Sequence, residues 1–113
     1  MTEQRVILEM GQGADLHGQD MTKAACRAVR DALAGSSLPL FSALGLRADD
    51  MRIDVTIGVP DPNAVDAGTV AAQLPYGTVS VRAVPGGLIS GDAVLAAASV
   101  EVYLPKQTGW RLR

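Results

Sequence analysis

The clearest pattern in the chain is an alternation of apolar and polar residues with a period of two, which is typical of a half-buried β-strand. Between Met51 and Val59, valine and isoleucine occupy every second position, with Asp54 and Thr56 between them. A similar alternation recurs twice in the second half of the chain, and a short apolar run lies near its start. We therefore predict four strands, over residues 5–10, 51–59, 78–84 and 98–104.

The period changes to that of an amphipathic α-helix over residues 21–34. Small and apolar residues recur there every three or four positions, and the basic residues lie on the opposite face. Asp20 is placed to cap the first turn by accepting a backbone N–H, and Gly35 ends the pattern. Residues 37–44 and, more weakly, residues 66–74 predict further short helical segments.

The predicted element order is β-α-β-α-β-β, within a single domain that spans residues 1–113. This order favours an α+β (α/β layer) fold, in which a four-stranded sheet carries helices on one face. The other sheet face is too apolar to be left entirely in water. It carries Ile7, Asp54, Thr56, Ser80, Arg82, Val84, Glu101 and Tyr103. We therefore expect that face to pack against a neighbouring subunit in a closed oligomer.

Composition narrows the classes of function. A chain of 113 residues with 48% hydrophobic and 19% charged residues is typical of one folded domain. The formal net charge of −2 gives no attraction to nucleic acid or to anionic membranes. No apolar run approaches the roughly 18 residues of a membrane span, and no secretory signal pattern is present, so we expect a cytoplasmic protein. The single cysteine excludes an intramolecular disulfide, and we expect no cofactor.

Glycines and polar residues crowd together before the predicted helix. Gly11 and Gly13 follow a strand and precede a helix, where backbone N–H groups and the helix dipole can hold an anion. A histidine side chain titrates near neutrality, and neighbouring carboxylates can hold its tautomer. We predict a site for a polar or anionic small molecule at this glycine-rich loop, completed by a neighbouring subunit. The catalytic candidates are Asp15, His17 and Lys23, and the ligand-binding candidates are Gly11, Gln12, Gly13, Gly18, Asp20, Thr22 and Arg82.

Simpler interpretations of the same residues exist. Asp20 is a typical helix cap, Asp15 can form a turn, and the glycines can supply positive φ angles. His17 is as compatible with bridging backbone groups as with chemistry. Asp15 and His17 offer two metal ligands, but the chain has no second histidine, so we predict no metal site. Cys26 lies beside the apolar stripe of the helix and is predicted to be a small buried residue.

The sequence around the predicted loop matches a longer motif. It reads Gly11-x-Gly13-x-Asp15-x-His17-Gly18, followed by Gln19-Asp20-x-Thr22-Lys23-Ala24-Ala25. In this the chain resembles a small family of conserved hypothetical proteins defined by the motif GxGxDxHG, and the likeness covers nearly the whole chain. The resemblance implies no particular reaction, because that family has no established activity.

The succession of strand, glycine-rich segment and helix start is also similar, more distantly, to single domains of the ring-opening amidohydrolases, the cyanuric acid hydrolase and barbiturase group. Three such domains form one pseudo-threefold enzyme, so the resemblance implies that a one-domain chain assembles as a homotrimer or a multiple of it. The catalytic residues differ. Those enzymes carry a lysine where this chain has Gln12, and a nucleophilic serine where it has Gly58-Val59-Pro60.

Three functions therefore compete. The chain is a small-molecule-binding protein, with or without catalysis; a structural or interaction module with the motif at a subunit interface; or an enzyme like the ring-amide hydrolases. We favour the first. A cap needs one aspartate and a turn needs one glycine, and neither needs the histidine, the second aspartate and the lysine as well.

Overall fold

The computed structural model describes residues 3–35, 50–74 and 77–105. Its elements are β1 (Glu3–Asp15), α1 (Met21–Leu33), β2 (Arg52–Val59), α2 (Ala67–Ala71), β3 (Thr78–Pro85), β4 (Leu88–Ser90) and β5 (Ala93–Pro105). A 3₁₀ helix, Pro62–Ala64, precedes α2. The helical segment predicted over residues 37–44 lies outside the described residues. None of the helices in the described ranges is long and apolar enough to cross a membrane.

The strands form one mixed sheet. Its main path runs β1-β5-β2-β3, and β4 pairs with β5 beside that path. β5 is antiparallel to β1, β2 and β4, whereas β2 and β3 are parallel. Parallel strands need a crossover connection, and the 3₁₀ helix and α2 lie in it. The predicted α+β class is confirmed, and the described residues form five strands where the sequence predicted four.

α1 and α2 lie on the same face of the sheet, which is lined by isoleucine and valine at alternate positions of β2 and by valine, alanine and leucine at alternate positions of β5. α1 packs there through its buried residues Met21, Ala24, Ala25, Cys26, Ala28, Val29 and Ala32. α2 adds Val70, which is fully buried. Most of these buried residues are small, which lets the helix lie close to the sheet, and this close packing forms the core.

The described residues leave the opposite sheet face open, and we call it the uncovered face. The pairing places Leu8, Met10 and Gln12 of β1, Arg52, Asp54 and Thr56 of β2, Ser80, Arg82 and Val84 of β3, Leu88 of β4, and Leu95, Ala97, Ser99, Glu101 and Tyr103 of β5 on it. Ile7 was expected there too, and that expectation was wrong. A bulge between Arg5 and Ile7 shifts the register, so Ile7 lies opposite Val102 in the core.

The first strand is longer than its sequence pattern predicts. We expected it to end at Met10 and Gly11–Gly13 to form a loop. The structure continues β1 to Asp15, with both glycines paired to alanines of β5. The prediction of a glycine-rich loop was therefore wrong, and the connection between β1 and α1 consists of residues 16–20.

The glycines of β1 are required by the approach of α1. A Cβ atom on Gly11 would lie 2.6 Å from the carbonyl oxygen of Ala28. A Cβ atom on Gly13 would lie 2.6 Å from the Cβ of Arg27. Both distances are far inside van der Waals contact, so only a residue without a side chain lets the helix backbone pack this close to the strand.

Candidate functional site

Asp15, the last residue of β1, is the buried polar side chain of the candidate site. Its side chain is only 3% exposed. One carboxylate oxygen, Oδ2, accepts the backbone N–H of Asp20 at 2.8 Å, and the other, Oδ1, lies 3.6 Å from Nζ of Lys23. The Asp20 N–H is the main cause that lowers the pKa of the Asp15 carboxyl; Lys23 and the backbone N–H of His17 act in the same direction, and burial opposes them. A carboxylate held ionised by several donors is a weak base, so this geometry favours a positioning role for Asp15.

The connection that follows Asp15 is a turn with exposed side chains. Gly18 and Gln19 have positive φ angles of 94° and 51°. Gln19 ties the turn to the start of β5, because its backbone N–H donates to the carbonyl oxygen of Asp92 and its side chain to that of Gly91. His17 is exposed and lines none of the surface depressions described below. Gly18 therefore serves the geometry of the turn, and the chemical role predicted for His17 stays a prediction.

Two further residues that were predicted to bind the ligand, Asp20 and Thr22, form structural hydrogen bonds at the first turn of α1. Asp20 is the N-cap, and its Oδ1 accepts the backbone N–H of Lys23 at 3.0 Å. Oγ1 of Thr22 accepts the backbone N–H of Asp66 at 2.8 Å and donates to the carbonyl oxygen of Ala64 at 3.3 Å. The Thr22 hydroxyl therefore joins α1 to the segment that leads into α2.

Gln12 does not present its N–H to an open loop. The amide lies on the edge of β1 and donates to Oδ2 of Asp31 at 2.9 Å. Since Gly11 and Gly13 are paired within the sheet, the three residues do not form the anion-binding loop that we predicted. Near them, a shallow depression is lined by Met10, Gly11, Gln12, Asp31 and Ala97.

A basic depression lies beside this turn, between α1 and α2, and we call it the α1 groove. It has a volume of about 340 Å³ and is lined by Asp20, Thr22, Lys23, Cys26, Arg27, Arg30, Thr69 and Gln73. Nη1 of Arg27 donates to the carbonyl oxygen of Ala14 at 2.6 Å, and Nε of Arg30 donates to Oε1 of Gln73 at 2.9 Å. Among the described residues, neither guanidinium forms an ion pair. Both arginines thus bring positive charge to the groove, which Asp20 lines as well but without pairing with either of them.

Sequence reasoning missed both arginines as candidates. We placed Arg27 and Arg30 on the solvent side of the helix, which is correct, but α2 turns part of that side into a groove. Lys23, Arg27 and Arg30 are spaced by four and three residues, and this spacing places side chains on one face of a helix. That spacing is the signal that could have identified them.

Arg82 lies far from the other candidates. It belongs to β3, at the edge of the sheet opposite to β1, and it is on the uncovered face. There it lines a depression of about 290 Å³ with Asp54, Val55, Thr56, Ser80, Val81 and Glu101. The structure therefore brings Asp15, Asp20, Thr22 and Lys23 together around the start of α1, and it separates Arg82 from them.

Ion pairs and hydrogen bonds join the polar side chains at one end of the uncovered face to one another. Nη1 of Arg5 lies 2.9 Å from Oε2 of Glu101, and the hydroxyl of Tyr103 donates to the same oxygen at 3.2 Å. Arg52 stacks over the Tyr103 ring, 4.1 Å from its centre, and pairs with Glu3 and Asp54. The Arg5 guanidinium is the main cause that lowers the pKa of Glu101. Within the described residues, no three side chains of His, Cys, Asp or Glu are grouped closely enough to hold a metal ion.

Comparison with known proteins identifies relatives of the whole fold. The model of a family of conserved hypothetical proteins, Lin0512_fam, matches residues 5–102. The crystal structure of an FtsZ-like protein of unknown function from Nostoc punctiforme, determined at 1.22 Å resolution, is similar with a TM-score of 0.82 and 34% sequence identity. The similarity covers 94% of this chain and 99% of that one. No curated protein matches the chain.

Proposed function

This chain belongs to the Lin0512_fam family of conserved hypothetical proteins, and we propose that it binds a small polar or anionic molecule in the α1 groove, at a site completed by a neighbouring subunit. The observation that carries the proposal is the row of Lys23, Arg27 and Arg30 along one side of the groove. The site thus differs in place from the loop that the sequence suggested. It retains Asp20, Thr22 and Lys23 from the predicted set.

Charge supports an anionic group in the ligand. Lys23 is balanced by Asp15, but Arg27 and Arg30 donate only to neutral oxygen atoms of the described residues. Guanidinium groups bind carboxylate and phosphate oxygens through parallel N–H donors. Thr69 and Gln73 supply neutral polar groups on the opposite side of the groove.

The shape of the groove supports the participation of a second subunit. Small-molecule sites typically bury about 70–90% of the ligand surface. The α1 groove is open to solvent along one side, and a ligand held by its arginines would remain partly exposed. A neighbouring subunit could supply the missing wall.

The experiment is a thermal-shift and calorimetric titration with inorganic phosphate, succinate and a nucleoside monophosphate. We expect at least one anion to raise the melting temperature, and the double variant Arg27→Gln, Arg30→Gln to weaken its binding at least about tenfold, since two charge-assisted contacts are removed. Arg82→Gln is the control, because it removes one arginine charge by the same substitution at the other edge of the sheet, away from the groove. The proposal fails if no anion binds, or if the double variant binds as tightly as the control.

Hydrolysis of ring amides, which the resemblance to amidohydrolases implies, stays a prediction. It would show as turnover of a cyclic imide or urea that is lost in His17→Ala. Turnover that persists in His17→Ala would assign it to other residues or to a contaminant.

A further inference from the structure

β1 forms one edge of the sheet, and α1 covers only part of that edge. Near the end of the strand, Asp31 accepts the Gln12 N–H and Arg27 donates to the Ala14 carbonyl oxygen. Alternate residues of an edge strand turn both main-chain groups away from the neighbouring strand. Leu8 and Met10 therefore direct their N–H and C=O groups outward, as Gln12 and Ala14 do.

The outward main-chain groups of Leu8 and Met10 have no hydrogen-bond partner among the described residues. We call this stretch of β1, residues 8–10, the open edge, and other features of the structure limit it on both sides. The bulge between Arg5 and Ile7 lies before it, and the two α1 side chains cover the edge after it. Natural proteins usually protect such an edge with a charged side chain, a proline or a covering loop.

The side chains along the open edge are apolar and accessible. Leu8 is 46% exposed and Met10 is 71% exposed, and both lie on the uncovered face. An edge with unpaired main-chain groups and exposed apolar side chains is a template for pairing with another strand.

We propose that two copies of this chain pair their β1 strands in antiparallel orientation about a twofold axis at Leu8, which joins the two sheets into one. A twofold axis brings the same patch of both copies together, so the outward main-chain groups of Leu8 in each copy supply the donor and acceptor that Leu8 of the other copy lacks. The exposed Leu8 side chains then lie opposite each other. This contact does not involve the α1 groove and stands independently of the proposed ligand.

The charge pattern of β1 selects this register. With the axis at Leu8, Glu9 lies opposite Ile7 of the second copy. With the axis one residue later, the two Glu9 carboxylates would lie directly opposite each other, which is unfavourable between adjacent strands. With the axis at Leu8, the bulge lies only at the two ends of the pairing, opposite Met10; an earlier axis would bring it next to the centre, opposite Leu8. The second copy therefore fits the open edge in one favoured position.

The test is the solution mass of the full chain, measured by sedimentation equilibrium up to about 100 µM, because the stability of such an assembly depends on concentration. We expect an even number of chains in the wild type. In Leu8→Lys, two like charges face each other, and we expect the mass to halve. A threefold assembly, as the amidohydrolase resemblance implies, would then be a hexamer that separates into trimers.

Leu88→Lys is the matched control. Leu88 is 61% exposed on the same face but lies in β4, away from the β1 edge. We expect this variant to keep the wild-type mass, and the Leu8 amide to be protected from hydrogen exchange in the wild type and unprotected in Leu8→Lys. Circular dichroism establishes that Leu8→Lys is folded, and Leu8→Ala provides a milder second variant. A monomer or an odd assembly in the wild type would overturn the proposal, as would a mass that falls in Leu88→Lys but not in the Leu8 variants.

Discussion

The carboxylate of Asp15 accepts the backbone N–H of Asp20 at 2.8 Å. The bond spans five residues and closes the connection between β1 and α1. It places Asp20 where its own side chain caps the helix through the N–H of Lys23. One aspartate thus positions the other, and the pair determines where α1 begins.

Replacing Asp15 with asparagine should destabilise the protein in a way that depends on pH. The folded pKa of Asp15 is lowered, chiefly by the Asp20 N–H. The ionised carboxylate therefore contributes stability above its unfolded pKa, and this contribution is lost as the pH falls through the folded pKa. In urea titrations we expect Asp15→Asn to have a lower midpoint than the wild type at about pH 7, and the difference to shrink towards about pH 3.

Asp61→Asn is the control for this titration, because the Asp61 side chain makes no capping hydrogen bond. It should follow the wild type across the pH range. A difference between Asp15→Asn and the wild type that stays constant down to low pH would contradict the role assigned to the ionised carboxylate.

Gly13→Ala should destabilise the fold although the change adds a single methyl group. That group would overlap the backbone and Cβ of Arg27 in α1. Overpacking of this kind costs about 1–3 kcal/mol, and more where backbone must move. Gly35→Ala is the matched change just beyond the C-terminal end of α1, where nothing lies within 4 Å of the added atom. Denaturant unfolding should separate the two variants clearly, and equal midpoints would mean that α1 does not require the glycine.

The sequence was sufficient to predict the elements whose local hydrophobic pattern agrees with the way they are buried in the fold. β2 was predicted to within one residue, because its valines and isoleucines alternate with polar residues. α1 was predicted equally well, because Asp20 caps it and its small residues form one stripe. In both elements, local preference and burial indicate the same structure.

Elements that depend on tertiary packing were missed or shortened. Glycine alone favours turns, so the second half of β1 was interpreted as a loop. Only the proximity of α1 explains why Gly11 and Gly13 lie in a strand. β5 begins at Ala93, whereas we predicted its start at residue 98. The first residues of the strand were missed because they are rich in alanine, which has a low strand propensity.

The candidate site was predictable only where its residues are close to one another in sequence. Residues near one another in sequence, such as Asp15, Asp20 and Lys23, were correctly placed together. Arg82 was grouped with them by charge alone, and the strand order, which sequence patterns do not determine, places it at the opposite edge. The family assignment is confirmed. The chemical role of His17 and the assembly of the chain into an oligomer stay predictions.

Thr22→Val should loosen the junction between α1 and α2. The substitution keeps the shape of the side chain but removes the bonds to the Asp66 N–H and the Ala64 carbonyl oxygen. We expect a loss of about 1 kcal/mol in the free energy of unfolding, as for a typical hydrogen bond. The control is Thr56→Val, which makes the same change on the uncovered face. If both variants were equally stable, the Thr22 hydroxyl would not hold the junction.

The thiol of Cys26 should react slowly in the folded protein. Cys26 is 5% exposed, and burial raises the pKa of its thiol above the ordinary value. A raised pKa leaves little thiolate at neutral pH, and the thiolate is the reactive form. We expect labelling by an aromatic disulfide reagent to be at least about 10²-fold slower than for an exposed cysteine, and to accelerate with urea as the protein opens. The comparison is the double variant Cys26→Ser, Ser80→Cys, which carries its thiol on the uncovered face. Equal labelling rates in the two folded proteins would show that the α1 groove opens to solvent at Cys26. They would contradict the burial of this thiol against the carbonyl oxygen of Thr69.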